Sequence, residues 1–215
     1  MKQNKTSIRT LISTGSYLGM LFFTLMCSAQ TPSKEKMIPT SYPVKFREKS
    51  GQLDSICANP KPDQINLSDK CVRYRRNSEV KYDYIKLGLS DDLKISMIKQ
   101  IQKSGKESIK YCMKFFTNAP SGTPVELLIG KNSGEKDYPD GTLGHFRAST
   151  TVSGKWEQLE FSFIQTPEGS AVTIDQIDQI TLLLNPNSSS ADLYYFEPKI
   201  IPLTKTNSTI KTTRE

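Results

Sequence analysis

From Cys71 onward the sequence falls into short segments whose apolar residues recur at every second position, a period that fits strands and excludes helices. In Cys71-Val72-Arg73-Tyr74-Arg75, Val72 and Tyr74 share one side and Arg73 and Arg75 the other. Residues 109–116 repeat the pattern, with Ile109, Tyr111, Met113 and Phe115 set against Lys110, Cys112 and Lys114. Residues 125–129, 146–152, 156–163, 180–184 and 193–196 continue the series. Between them stand Ala119-Pro120-Ser121-Gly122-Thr123-Pro124, Tyr138-Pro139-Asp140-Gly141 and Asn185-Pro186-Asn187-Ser188, where Pro fixes φ and Gly or Asn tolerates a turn. Many short strands with such punctuation predict an all-β fold, an antiparallel β-sandwich or jelly roll. One short helix interrupts it: Ser90-Asp91-Asp92 supplies a cap, Leu93, Met97, Ile98 and Ile101 supply a face, and Gly105 supplies a stop.

The ends of the chain read differently. Met1 to Arg9 is polar and basic, and residues 17–26 are apolar but too few to span a bilayer, which is the pattern of a signal peptide. Cleavage after Ala29 in Cys27-Ser28-Ala29 gives residues 1–29 as the signal and 30–37 as a polar tether; a lipid anchor on Cys27 is the rival processing route. The expected domain covers 38–202, and 203–215, rich in Thr and Lys, forms a disordered tail. Of the net charge of +7, the first 29 residues hold Lys2, Lys5 and Arg9 without an acid, so +4 remains on the rest. That weak surplus on an exported chain argues against a nucleic-acid partner. After cleavage Cys57, Cys71 and Cys112 remain. A hairpin through Asn59-Pro60-Lys61-Pro62-Asp63 can bring Cys57 and Cys71 together as a disulfide, and three small buried thiols is the alternative. There is no CxxC pair, GxSxG or phosphate loop, and His145 is the single histidine, which excludes a zinc site built on several histidines. With Arg147 beside it and no second ligand in view, His145 reads as a residue at a strand edge.

Several short motifs, in order, resemble secreted carbohydrate-binding-like modules of Bacteroidetes-type bacteria with a galactose-binding-like jelly roll. They are Asn59-Pro60, Tyr74-x-Arg76-Asn77, Tyr82-Asp83-x-Ile85, Tyr138-Pro139-x-Gly141, Trp156-Glu157-x-Leu159-x-Phe161, Leu182-Leu183-Leu184-Asn185-Pro186-Asn187 and Tyr194-Tyr195-Phe196-Glu197. The resemblance implies a non-catalytic module that binds a polysaccharide at the cell surface or outside the cell. Lys45-Phe46-Arg47 places two cations where the family often carries acids, so a structural calcium ion is not expected and no cofactor is.

A sugar site needs aromatic faces for the C–H side of a pyranose and carboxylate, amide or guanidinium groups for its hydroxyls. The candidates are Trp156, Tyr138, Asp137, Asp140 and Tyr84. Trp156 shares the parity of Gln158 and Glu160, away from Leu159, Phe161 and Phe163, so it either offers a face to ligand or packs beneath the Gly154-Lys155 turn. Tyr138 lies in a loop with Asp137 and Asp140, where it meets a ligand or anchors the loop. Catalysis by a glycosidase would need two facing carboxylates among Asp83, Asp137, Asp140, Glu157 and Glu160, and Glu157 and Glu160 have opposite parity. The competing class is a surface protein with a protein partner, favoured if Trp156 is buried and no open aromatic groove exists.

Overall fold

The computed structural model describes residues 44–133 and 137–204. The expected signal peptide, the tether, Cys27 and residues 205–215 of the expected tail lie outside them. In chain order the strands are β1 (Val44–Lys49), β2 (Gln52–Ala58), β3 (Lys70–Arg75), β4 (Tyr84–Leu89), β5 (Ile109–Thr117), β6 (Pro124–Gly130), β7 (Thr142–Ser149), β8 (Trp156–Gln165), β9 (Gln179–Leu184), β10 (Leu193–Phe196) and β11 (Ile201–Thr204). The helix α1 (Asp91–Ser104) stands between β4 and β5.

All pairings are antiparallel and form two sheets that share β8. The first runs β1-β4-β9-β6-β7 and continues onto the second half of β8, where Phe146 faces Phe163 and Arg147 faces Ser162. The second runs from the first half of β8 through β5, β10 and β3 to β2. β11 extends the second sheet along the first half of β5, with Leu203 opposite Lys110 and Thr204 opposite Ile109. The described residues form an antiparallel β-sandwich of jelly-roll type with a single α-helix among them. The ladder corrects the expected tail, because residues 203 and 204 are held by β5 pairing.

Period two places one side of the central strands in a common core. Ile85, Leu87, Leu127, Ile180, Leu182 and Phe146 from the first sheet meet Val72, Tyr111, Phe115, Phe161, Tyr194 and Phe196 from the second, all fully buried. Burying each such side chain stabilises the fold by roughly 1.5–3 kcal/mol. The rings interlock: Tyr111 meets Phe146 edge-on at 4.9 Å between centroids, and Phe115 stacks on Phe196 at 5.5 Å. The α1 helix covers one side of this core with Leu93, Met97 and Ile101. Its first turn is capped by Ser90 Oγ, which accepts from the Leu93 amide at 3.3 Å, and Asp91 and Asp92 complement the helix dipole. Gly105, at φ +73°, ends it in a conformation that costs glycine little.

β7 ends at Ser149, short of the expected 152, because Thr150 turns back to Thr123 and Pro120 through hydrogen bonds of 2.9–3.1 Å. The strands β1, β4 and β11 are not among the predicted segments, and β2 is foreseen only as the first arm of the Cys57–Cys71 hairpin.

Candidate functional site

The outward side of the first sheet holds a groove of about 1070 Å³. Strand register builds its floor as two rows that cross the strands. In one row Tyr84, Leu183, Glu126 and Arg147 lie side by side on β4, β9, β6 and β7. Two residues along each strand, Glu48, Lys86, Thr181, Leu128 and His145 form the second row on β1, β4, β9, β6 and β7. Beyond the second row the loop bearing Asp137 and Tyr138 rises as one wall; beyond the first, Tyr82, Pro186, Asn187 and Pro124 form the other.

Both walls are tied to the scaffold. Asp137 Oδ2 accepts from Gln179 Nε2 at 2.7 Å and lies 3.1 Å from Lys86 Nζ, while its Oδ1 accepts from the Ser133 amide at 2.6 Å. On the far wall the buried Arg76 spends its guanidinium on backbone carbonyls of Leu184, Ser190, Asn77, Val80 and Lys81 at 2.8–3.3 Å. This fastens residues 77–81 to the 184–190 turn, so Tyr82 and Asn187 stand on one braced unit. Asp83 is buried beside it, accepting from Tyr74 Oη at 2.8 Å, the Asn77 amide at 2.9 Å and Ser50 Oγ. Tyr82 and Tyr138 are 59% and 54% exposed, so each wall offers an open aromatic ring.

The floor carries two charge clusters. Glu126, 6% exposed, receives Arg147 Nε at 2.9 Å on Oε1 and faces His145 Nε2 at 3.1 Å on Oε2. Burial pushes the Glu126 carboxyl up, and the contacts with His145 and Arg147 outweigh it, so its pKa lies below the usual carboxylate value. Glu48 receives Lys86 Nζ at 2.6 Å and Tyr84 Oη at 2.6 Å, and these donors lower its pKa. Burial works against the Lys86 ammonium, yet its two carboxylate partners, Glu48 and Asp137, raise its pKa overall.

The structure brings together three of the five expected site residues, Tyr84, Asp137 and Tyr138. Asp140 is exposed outside the groove, where its carbonyl accepts from the Ala171 amide at 3.3 Å. Trp156 is corrected as a sugar platform. Its outward parity holds, but it is 3% exposed because the loop after β2 covers it, and Asn59 Oδ1 accepts from its indole N–H at 2.9 Å. Cys57 and Cys71 face each other across β2 and β3 as thiols, with sulfurs 3.6 Å apart. The other expected carboxylates have structural partners: Glu157 accepts from the Thr151 amide and hydroxyl, and Glu160 pairs with Lys110. His145 sits within the sheet and not at its edge, since β7 is paired on both sides. Sequence reasoning missed Glu126, His145, Arg147, Lys86, Glu48 and Tyr82 as one site. Equal parity on each strand was available, but the register that aligns the strands was not.

No protein-family model matches the chain, and no curated protein matches it. Among solved structures, those similar in fold include a family 11 carbohydrate-binding module from Clostridium thermocellum in complex with a β-1,3-1,4-mixed-linked tetrasaccharide, 14% identical over 77% of this chain and 89% of that one, with a TM-score of 0.41. SGBP-B from a complex xyloglucan utilization locus in Bacteroides uniformis is 12% identical over 75% of this chain and 47% of that one, with a TM-score of 0.46. TmCBM61 in complex with β-1,4-galactotriose is 11% identical over 77% and 90%, with a TM-score of 0.36.

Proposed function

We propose that this chain is a non-catalytic polysaccharide-binding module and that the groove across the first sheet is its site. The observation that carries the reading is the pair of open tyrosines, Tyr82 and Tyr138, standing on braced walls over a floor of hydrogen-bonding side chains. Aromatic faces cover the apolar side of a pyranose, and the clefts between them present donors and acceptors to its hydroxyls. The groove is roomier than most pockets for a single small ligand, which suits several residues of a chain.

Binding fits the electrostatics better than hydrolysis does. A glycosidase needs one carboxyl held protonated near neutral pH, and the groove's Glu48 and Glu126 are both shifted the opposite way. The protein-partner alternative is favoured by a buried Trp156 together with the lack of an open aromatic groove; Trp156 is buried, but the tyrosine walls of the groove speak against it. Action outside the cytoplasm is supported by the apolar segment that follows Met1 to Arg9. No helix of the described residues is long and apolar enough to cross a membrane.

The test is retention of the purified full chain on a panel of soluble and insoluble polysaccharides, with Tyr138→Ala and Tyr82→Ala beside it. Each substitution is expected to weaken binding about tenfold, or about 1.4 kcal/mol, without loss of folding. Unchanged binding in both variants would remove the groove from the reading.

A further inference from the structure

We infer that the groove selects an uncharged polysaccharide and rejects uronate-bearing, sulfated and amine-bearing chains. This rests on the reading of the groove as a glycan site and names the ligand's class. Every described ion lining the groove already holds a counter-ion supplied by the protein. Lys86 Nζ sits between Glu48 at 2.6 Å and Asp137 at 3.1 Å, with its side chain only 12% exposed. Arg147 gives both Nε and Nη2 to one oxygen of Glu126, and His145 occupies the other. The carboxylates are equally committed. Glu48 splits its two oxygens between Tyr84 and Lys86, and Asp137 splits its own between the Ser133 amide on one side and Gln179 and Lys86 on the other.

Three carboxylates against two permanent cations leave the described lining one charge negative, and counting His145 as a cation brings it only to zero. An anionic sugar entering this floor must compete with Glu126 for Arg147, whose side chain is 49% exposed, or with Asp137 for Lys86, whose side chain is 12% exposed. A cationic sugar must displace Lys86 or Arg147. An exchange that strips Glu126, Asp137 or Lys86 of its partner leaves a largely buried charge unpaired, the costly outcome for an ion taken from water. A hydroxyl group needs no such exchange. It donates to the lone pairs a carboxylate still has free, and it accepts from the remaining N–H groups of Lys86 and Arg147. The wall tyrosines and the apolar floor positions Leu128 and Leu183 contribute contacts that carry no charge.

The experiment is affinity electrophoresis of the full chain through gels holding a neutral glucan, galactan or mannan, or polygalacturonate, a sulfated galactan or chitosan. Retardation is expected only in uncharged gels and should change less than about twofold between about 0.05 and 0.5 M salt. Retardation by a charged polymer that collapses with salt, and that Tyr138→Ala abolishes, overturns the ligand class while leaving the groove as the glycan site. No retardation in any gel by a protein with its native circular dichroism overturns the glycan reading itself. Glu126→Gln releases Arg147 and His145 from a carboxylate and is expected to bring polygalacturonate binding up by about tenfold. Glu48→Gln alters an exposed carboxylate, leaves Glu126 in place, and is expected to give a smaller gain in the same direction. A gain in neither variant breaks the link between ion pairing and ligand class.

Discussion

The two outer faces of the sandwich are made by the same alternation and end in opposite states. On the first sheet the outward residues floor a groove between two loops, with Glu126 and His145 largely buried in it and aromatic rings standing on the walls. On the second sheet the outward aromatics are closed over. Trp156 packs against Phe116 with ring centroids 5.9 Å apart, Phe116 meets Tyr195 edge-on at 5.7 Å, and Cys71 and Cys57 complete a small satellite core. The loop after β2 seals it: Asn59 accepts from Trp156 and donates Nδ2 to the Ser68 carbonyl at 2.7 Å. An outward aromatic is therefore a platform or a second core according to whether a loop lies on it, and strand parity does not distinguish the two.

The largest expected effect exploits that difference. Trp156→Ala removes the centre of the satellite core and is expected to destabilise the protein by about 3–5 kcal/mol. Per folded molecule, its affinity for polysaccharide should stay at the wild-type value. Tyr82→Ala should do the reverse, weakening binding while its urea midpoint stays within about 0.5 kcal/mol of wild type, because the ring is mostly exposed. A Trp156→Ala protein that unfolds at the wild-type midpoint yet has lost its ligand would invert the comparison.

The next effect concerns the seal. We propose that in an oxidising compartment Cys57 and Cys71 join, since their sulfurs lie 3.6 Å apart on paired positions of β2 and β3. Burial together with its neighbour Cys57 raises the Cys71 thiol well above its usual value, so attack is expected to start from Cys57. Oxidised glutathione supplies the disulfide that is reduced. A bond closing a loop of about 15 residues stabilises by up to about 3 kcal/mol in the chain-entropy account. Peptide mapping after treatment should find the 57–71 link, with Cys112 still reactive after unfolding and thermal stability raised. Glycan affinity should be unaffected, because the bond lies on the closed face. Mapping that recovers Cys57 and Cys71 only as separate thiols or glutathione adducts would reject the pairing.

The closed face was more legible in the sequence than the open one. Alternation gave the outward parity of Trp156, Arg73 and Lys110, the helix cap at Ser90 with its stop at Gly105, and the approach of Cys57 to Cys71. These depend on residues close in the chain or on one hairpin. The groove depends on pairing between distant strands. Glu126 and Arg147 meet because β6 pairs with β7, and Glu48 reaches Lys86 because β1 pairs with β4. β1 itself reads poorly as a strand, since Lys45, Arg47, Glu48 and Lys49 leave it few apolar residues, and it is an edge strand that needs only one partner. Asp137 and Tyr138 could be named from sequence because an aromatic beside acids in a loop is visible without register. For Trp156 parity left a platform and a packed ring both open, because a covering loop leaves no mark on the strand it covers.

A smaller effect separates the faces by pH. The Glu126 carboxyl has a folded pKa below its unfolded value of about 4.5, so its pairing contributes stability that is fully present above that pH and is lost as pH falls through the lower folded value. Urea midpoints of the wild type are expected to fall as pH drops from about 5 to about 3. In Glu126→Gln that fall should be shallower, since the amide does not titrate. Parallel slopes for wild type and variant would show that the groove cluster does not contribute to acid sensitivity.

The smallest effect is expected on the flat part of the closed sheet, where Lys110 meets Glu160 at 3.1 Å with both side chains nearly half exposed. Water competes for both ions, and holding two long side chains together costs entropy, so a double-mutant cycle with Lys110→Ala and Glu160→Ala should give a coupling of about 0.5 kcal/mol or less. The same cycle on Lys86 and Glu48 should give a larger value, because Lys86 is shielded by the groove and is shared with Asp137. Equal couplings would mean that the groove floor is as wet as the open surface. Its ions would then be free to exchange partners with a charged ligand, and the contrast between the two faces would reduce to the placement of their aromatic rings.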